Sequence, residues 1–180
     1  IRPFFPKNFR HNTQITSFLL SADLENESDV LGIIGASAAL TISDTPFGGP
    51  VAAVRIGRVD GQFIVDPTFQ ELDRSDLDLR VAGTRDAILM VECGANEVPE
   101  DVMLAALQRA QQALQPLIDL QLEMRAAVGK PKRTYTPHAT AAGAVEAVRG
   151  WIGTRLRDLH LQPMDKTQVG EALEALEHGP

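Results

Sequence analysis

The 180-residue chain carries 17 Lys and Arg against 24 Asp and Glu, a formal net charge of −7, which excludes a generic polyanion-binding surface and requires any nucleic-acid contact to be local. Its length suits one well-buried core and a small appendage, and its single cysteine excludes a disulfide framework and a CxxC redox or zinc motif. A reducing cytoplasm is therefore expected. No apolar run approaches the ~18 residues of a membrane span and no charged-then-apolar leader opens the fold, so no membrane association is expected. A chain that opens on Ile1 and closes on His178-Gly179-Pro180 reads as a piece of something longer.

In chain order, Arg2-Pro3-Phe4-Phe5-Pro6-Lys7-Asn8-Phe9-Arg10 is an irregular approach fixed by two prolines. The β-branched and aromatic content of Gln14–Ser21 predicts a strand ending at Ser21-Ala22-Asp23. Ser28 and Asp29 suit the cap of a helix over Val30–Leu40, whose small residues predict tight packing on a sheet and deep burial. Val51–Val59 and Gln62–Val65 flank Asp60-Gly61, a dipeptide that readily takes positive φ, and predict a hairpin. Leu77–Val81 and Ala87–Cys93 predict a second antiparallel pair across a longer turn, with Cys93 a buried, inert thiol in an apolar run.

From Pro99 the period is helical. Pro99, Glu100 and Asp101 suit a helix start, and Leu107, Ala110, Leu114, Leu117, Met124 and Val128 form one stripe. Pro116 lies inside that pattern and predicts one bent helix rather than two. Gly129–Pro137, with glycine, two prolines and the cations Lys130, Lys132 and Arg133, is the best boundary in the chain and reads as a solvated linker. Beyond it Ala139–Leu159 and Asp165–Leu176 predict two amphipathic helical segments around Gln162-Pro163, with Asp165 as N-cap. Ile152, Leu156 and Leu159 are expected in the core of that small bundle, with Trp151 flanking it.

Three blocks carry a family likeness: Ile1–Pro6; Ile34–Leu40 running to Thr45-Pro46-Phe47-Gly48-Gly49-Pro50; and Ser75–Thr84 with its terminal Ala82-Gly83-Thr84. In that order they resemble the first RNase PH-like domain of bacterial polynucleotide phosphorylase, and Ala87–Glu92 and Val128–Lys132 extend the likeness to about residue 132; the rest resembles that family's helical linker. The resemblance implies an α+β fold of the RNase PH type, with a mainly antiparallel sheet and packed helices over 1–132, and a small all-α domain over 133–180. It also implies a larger polypeptide that assembles as a homotrimeric ring around an RNA channel. That polypeptide would remove 3′-terminal nucleotides from RNA as nucleoside diphosphates, with phosphate as co-substrate and Mg2+, in cytoplasmic mRNA turnover alongside RNA-degradation complex partners.

Phosphorolysis needs a phosphate cradle, a carboxylate-held metal and a cation near the developing charge. At the place where catalytic RNase PH-like domains carry a Ser-rich turn stands Glu25-Asn26-Glu27-Ser28-Asp29, which would repel phosphate. Asp76 and Asp78 share a strand face and have metal-holding spacing. Leu72, however, occupies an acidic position of the active pattern, and Arg80 stands for its lysine without replacing it, since a guanidinium is no compact ammonium. An ion pair of Asp76 or Asp78 with Arg80 or another strand residue is the expected arrangement. No residue of this stretch is therefore assigned a catalytic or metal-binding role, and the four histidines have no ligand spacing.

RNA contact is assigned to Arg2, the position that the resemblance associates with RNA, with Lys7 and Arg10 beside it. Phe4, Phe5 and Phe9 are read as core. The leading functional reading is a scaffold and RNA guide within a phosphorolytic 3′→5′ exoribonuclease, a polyribonucleotide nucleotidyltransferase. The alternative is a noncatalytic RNA-binding ring subunit of an exosome-like assembly. A self-sufficient RNase PH enzyme is disfavoured by Glu27, Leu72 and Arg80.

Overall fold

The computed structural model describes residues 1–178; Gly179 and Pro180, read above as the chain's end, lie outside the described residues. A 3-10 turn (Arg2–Phe4) is followed by α1 (Asp29–Ile42), β1 (Ala52–Val59), β2 (Gln62–Val65), the short α2 (Phe69–Leu72), β3 (Leu77–Gly83), β4 (Ile88–Ala95) and the long α3 (Glu100–Val128). Helices α4 (Ala144–Ile152), α5 (Arg155–His160) and α6 (Lys166–His178) follow. The chain divides into two compact units, Ile1–Pro137 and His138–Pro180. The sequence reading began its second domain at Arg133. The stretch after α3 stays with the first unit because Lys130 N–H donates to Ile42 C=O at 2.8 Å and Arg133 N–H to Asp44 C=O at 2.7 Å.

In the first unit the strands form one antiparallel sheet of order β2-β1-β3-β4. The hairpin expected at Asp60-Gly61 is present, with φ of 50° and 79° at its two turn residues. Strand alternation sends the two faces of β1 and β3 to different helices. Val54, Ile56, Leu77, Leu79 and Val81 meet Ala106, Ala110, Leu114 and Ile118 of α3. On the opposite face Val51, Ala53 and Ala82 meet Val30 and Leu40 of α1 together with Phe47, and Phe4 and Phe5 lean on this cluster. The residue just before β1 is clamped by both helices: Val51 N–H donates to Ser37 Oγ at 2.8 Å, and Val51 C=O accepts from Gln121 Nε2 at 3.0 Å. This is the α+β architecture anticipated from the sequence.

Several expectations need correction. Gln14–Ser21 is not a strand: it has no pairing partner among the described residues, and Phe18, Leu19 and Leu20 stand in solvent. Strand content without a ladder cannot satisfy the backbone. Helix α1 is buried on one face only; Val30, Ala36, Ser37, Leu40 and Thr41 are covered while Leu31 is 62% exposed. On α3 the buried stripe is Ala106, Ala110, Leu114, Ile118 and Gln121, whereas Met124 and Val128 project past the sheet into solvent. The helix runs unbroken through Pro116, whose side chain is exposed.

Cys93 is exposed rather than buried, since past Ile88 the edge strand β4 is barely covered on either face. In the second unit Gly153 separates α4 from α5, so the described residues form three helices instead of two segments, and Ala139–Gly143 is not helical. Asp165 does cap α6: its carboxylate accepts from Gln168 N–H at 2.9 Å while Gln168 Oε1 accepts from Asp165 N–H at 3.0 Å. No described residue of α4, α5 or α6 is fully buried; Ile152 and Leu159 are half-buried and Leu156 is 39% exposed.

Candidate functional site

The register of β1 and β3 places Arg55 directly opposite Arg80 on the face that carries α1. Two like charges facing each other across a ladder are destabilising unless anions intervene. Here three do. Asp78, two residues before Arg80 on the same face, accepts from Arg55 Nε at 2.7 Å and Nη2 at 2.8 Å, a bidentate pair, and contacts Arg80 Nη1 at 3.4 Å. Asp29, at the start of α1, accepts from Arg80 Nε at 2.6 Å. Glu27, just before α1, pairs with Arg55 and lies 3.4 Å from Arg80 Nη2. On the other side of Arg80, Glu92 of β4 is its register partner. The Arg55 side chain is only 8% exposed, whereas its carboxylate partners keep about a third of their surface in solvent: Glu27 33% and Asp78 35%.

The electrostatics follow from this packing. Hydrogen bonding from Arg55, reinforced by the charges of Arg55 and Arg80, outweighs partial burial and holds the Asp78 carboxyl below its ordinary value. The hydrogen bond to Asp29, with the charge of Asp78, pushes Arg80 further into its protonated form. Asp66, which accepts from Arg55 N–H at 2.8 Å, is pushed up chiefly by burial and also by the charge of Asp29. The remaining cavity among Asn26, Glu27, Asp29, Val30, Arg55, Asp66 and Pro67 is about 40 Å³. That is room for a water rather than a phosphate group.

A phosphate would have to displace Glu27 and Asp29 from the arginines they already pair with, and a cation approaching Asp78 would meet two guanidiniums. The cluster contains no free base or nucleophile, and among the described residues no three His, Cys, Asp or Glu side chains are grouped as metal ligands. Asp76 is separate: it pairs with Arg58 at 2.7 Å. Arg80 is thus linked to Asp78 as expected, but the stronger partner of Asp78 is Arg55, a strand residue that the sequence reading left open without naming. The available signal was a lone cation within the otherwise apolar strand Val51–Ile56.

Arg2, Lys7 and Arg10 all lie on the surface, Arg2 in the 3-10 turn, and among the described residues none has a carboxylate within ion-pair distance. The other cationic run is occupied. Lys132 Nζ donates to the carbonyls of Leu40 at 2.7 Å, Thr41 at 3.2 Å and Ser43 at 2.7 Å, capping the end of α1, and burial lowers its pKa. Arg133 pairs with Asp44 at 2.8 Å. Two residues of the run read as a solvated linker are therefore structural ties.

Residues 49–113, covering the four-stranded sheet and the first half of α3, match the 3′ exoribonuclease family, domain 2. The sheet and its helices thus place the chain in the RNase PH class of α+β proteins. Along nearly its full length it is similar to polyribonucleotide nucleotidyltransferases. It is 49% identical over 176 residues to that of Thermomicrobium roseum, which takes in 98% of this chain and 22% of the relative, and 44% identical over 176 residues to that of Heliobacterium modesticaldum, 98% and 25%. With that of Deinococcus deserti it shares 58% over 135 residues, 75% of this chain and 19% of the relative. The chain belongs to this family of proteins, as the three sequence blocks indicated, and spans between a fifth and a quarter of the length of its first two relatives. Among the described residues no helix is long and apolar enough to cross a membrane.

Proposed function

We propose that this stretch is the scaffold and RNA-guiding part of a larger phosphorolytic 3′→5′ exoribonuclease, a polyribonucleotide nucleotidyltransferase that releases nucleoside diphosphates. Residues 1–132 are the C-terminal portion of the noncatalytic first RNase PH-like copy, and 133–180 are its all-α linker domain. Inorganic phosphate is the co-substrate, and Mg2+ acts in a second copy elsewhere in the polypeptide. The parent protein works as a homotrimer in cytoplasmic mRNA turnover, in company with other RNA-degrading proteins, and Arg2, Lys7 and Arg10 contribute phosphate contacts along the RNA path.

The observation that carries the noncatalytic assignment is the closure of Arg55 and Arg80 on Glu27, Asp29 and Asp78. It leaves neither an anion hole nor an available carboxylate pair where the chemistry requires them. The test compares the parent protein with the 180-residue chain, each incubated with RNA, phosphate and Mg2+. Nucleoside diphosphates are expected from the parent alone; their release by the 180-residue chain would overturn the assignment.

A further inference from the structure

Four of the seven phenylalanines and the only tyrosine gather at one corner of the first unit, and they form a graded series from core to solvent. Phe47 is 7% exposed. Phe5 lies on it with ring centroids 5.8 Å apart, Phe4 meets it edge-on at 6.2 Å, and Phe9 stacks on Phe5 at 5.9 Å with only 23° between planes. Phe9 is then flanked by His11 at 5.2 Å and by Tyr135, edge-on, at 5.2 Å. Phe4 and Phe5 are core-supporting residues, as read from the sequence. Phe9 is one layer further out: half-buried, it forms with Arg2, Phe5, His11 and Asn12 the wall of an open groove of about 500 Å³.

Charge singles out the same corner. In a chain of net charge −7, the first 22 residues contain no Asp or Glu, while Arg2, Lys7 and Arg10 are all exposed there. An aromatic face fixed from behind, with Arg2 in the groove wall and Lys7 and Arg10 exposed in the same segment, suits single-stranded nucleic acid, which offers a stacking base and a phosphate at every step. Ile1 and Ile15 also line the groove, but no strand borders it, so a peptide finds no backbone edge to pair with there, while the exposed cations of the same segment favour a polyanion.

We propose that the groove holds a nucleotide of single-stranded RNA, its base stacked against Phe9 and His11, with Asn12 within reach of the base edge and Arg2 on the adjoining phosphate. This deepens the RNA-guiding reading and rests on it. The stack Phe47–Phe5–Phe9 pre-orders the platform, so little side-chain freedom is lost on binding.

The test measures binding of fluorescein-labelled oligoadenylate and of an abasic oligomer of the same length to the parent protein, by anisotropy at fixed salt and without phosphate or Mg2+. His11→Ala, at an exposed position, and Phe9→Leu should each weaken oligoadenylate binding roughly ten-fold and leave the abasic oligomer unchanged. Arg2→Ala should weaken both. If Phe9→Leu lowers the melting temperature, His11→Ala decides alone. The platform is overturned if the aromatic variants bind oligoadenylate like the wild type, if they lose both oligomers equally, or if the wild type binds neither. Phosphorolysis measured on the same variants separates the two ideas. Nucleoside diphosphate release without a base-dependent loss sinks the platform and keeps the exoribonuclease; a base-dependent loss without release does the reverse.

Discussion

At the scale of single residues, Arg55 has the largest structural consequence in the polar cluster. It is a buried cation whose partners are partly solvated, so its truncation strands Glu27 and Asp78 beside a single remaining arginine. Arg55→Ala is expected to cost about 3 kcal/mol in denaturant-monitored stability, the low end for breaking a buried pair because the carboxylates can recover water. Asp78 gives the cluster a pH signature. Its folded pKa lies below the ordinary 3.8, so its contribution is fully present above that value and is lost as pH falls through the lower folded value. In acid titrations of the melting temperature, Asp78→Asn should flatten the decline below about pH 4; a variant as acid-sensitive as the wild type would refute the role. Asp66, pushed up, works in the opposite direction and is not expected to mask the effect, because its stabilisation is already complete below its unfolded value. The sequence showed that Asp78 and Arg80 share a face but not that Arg55 is the closer partner, since cross-strand register depends on which strands pair, and β1 and β3 are not consecutive.

At the scale of elements, α3 was legible because a 3.6-residue apolar period over 29 residues overrides one unfavourable position. That position is Pro116, which lacks the N–H that would bond the Gln112 carbonyl one turn earlier. Its side chain is exposed, so removing it sacrifices no packing. Pro116→Ala is expected to raise stability by about 1–3 kcal/mol, read from chemical denaturation. The hairpin β1–β2 was legible from Asp60-Gly61 alone, since the turn dictates its own geometry. Gln14–Ser21 shows the converse: β propensity describes a side chain's fit to a pleated surface, and no neighbouring strand is there to supply one among the described residues. The extent of burial on α1 was likewise not readable, because small residues permit close packing without specifying how many neighbours arrive.

At the scale of the whole molecule, the two units differ in what they bury. Unit one encloses apolar residues between both faces of its sheet and two helices, whereas the described part of unit two holds three short helices without one fully buried residue. Local stability should follow. Amides of β1 and β3 are expected to resist hydrogen exchange longest, and those of α4, α5 and α6 to exchange at least ten-fold faster, as measured by mass spectrometry on the 180-residue chain; uniform protection would contradict this. The family was legible because its blocks take in the proline-bounded 3-10 turn at Arg2–Phe4, the second half of α1 with the glycine-proline entry to β1, and β3 with its closing Ala82-Gly83-Thr84. One feature of the fold also sets a practical behaviour. Strand β4 forms one margin of the sheet, with Leu89, Met90 and Val91 between 39% and 51% exposed and Glu92 as the only charged residue along its length. A margin of that composition is a template for further strands, so concentrated solutions of this chain by itself should tend toward ordered precipitation through β4 before they lose native structure elsewhere.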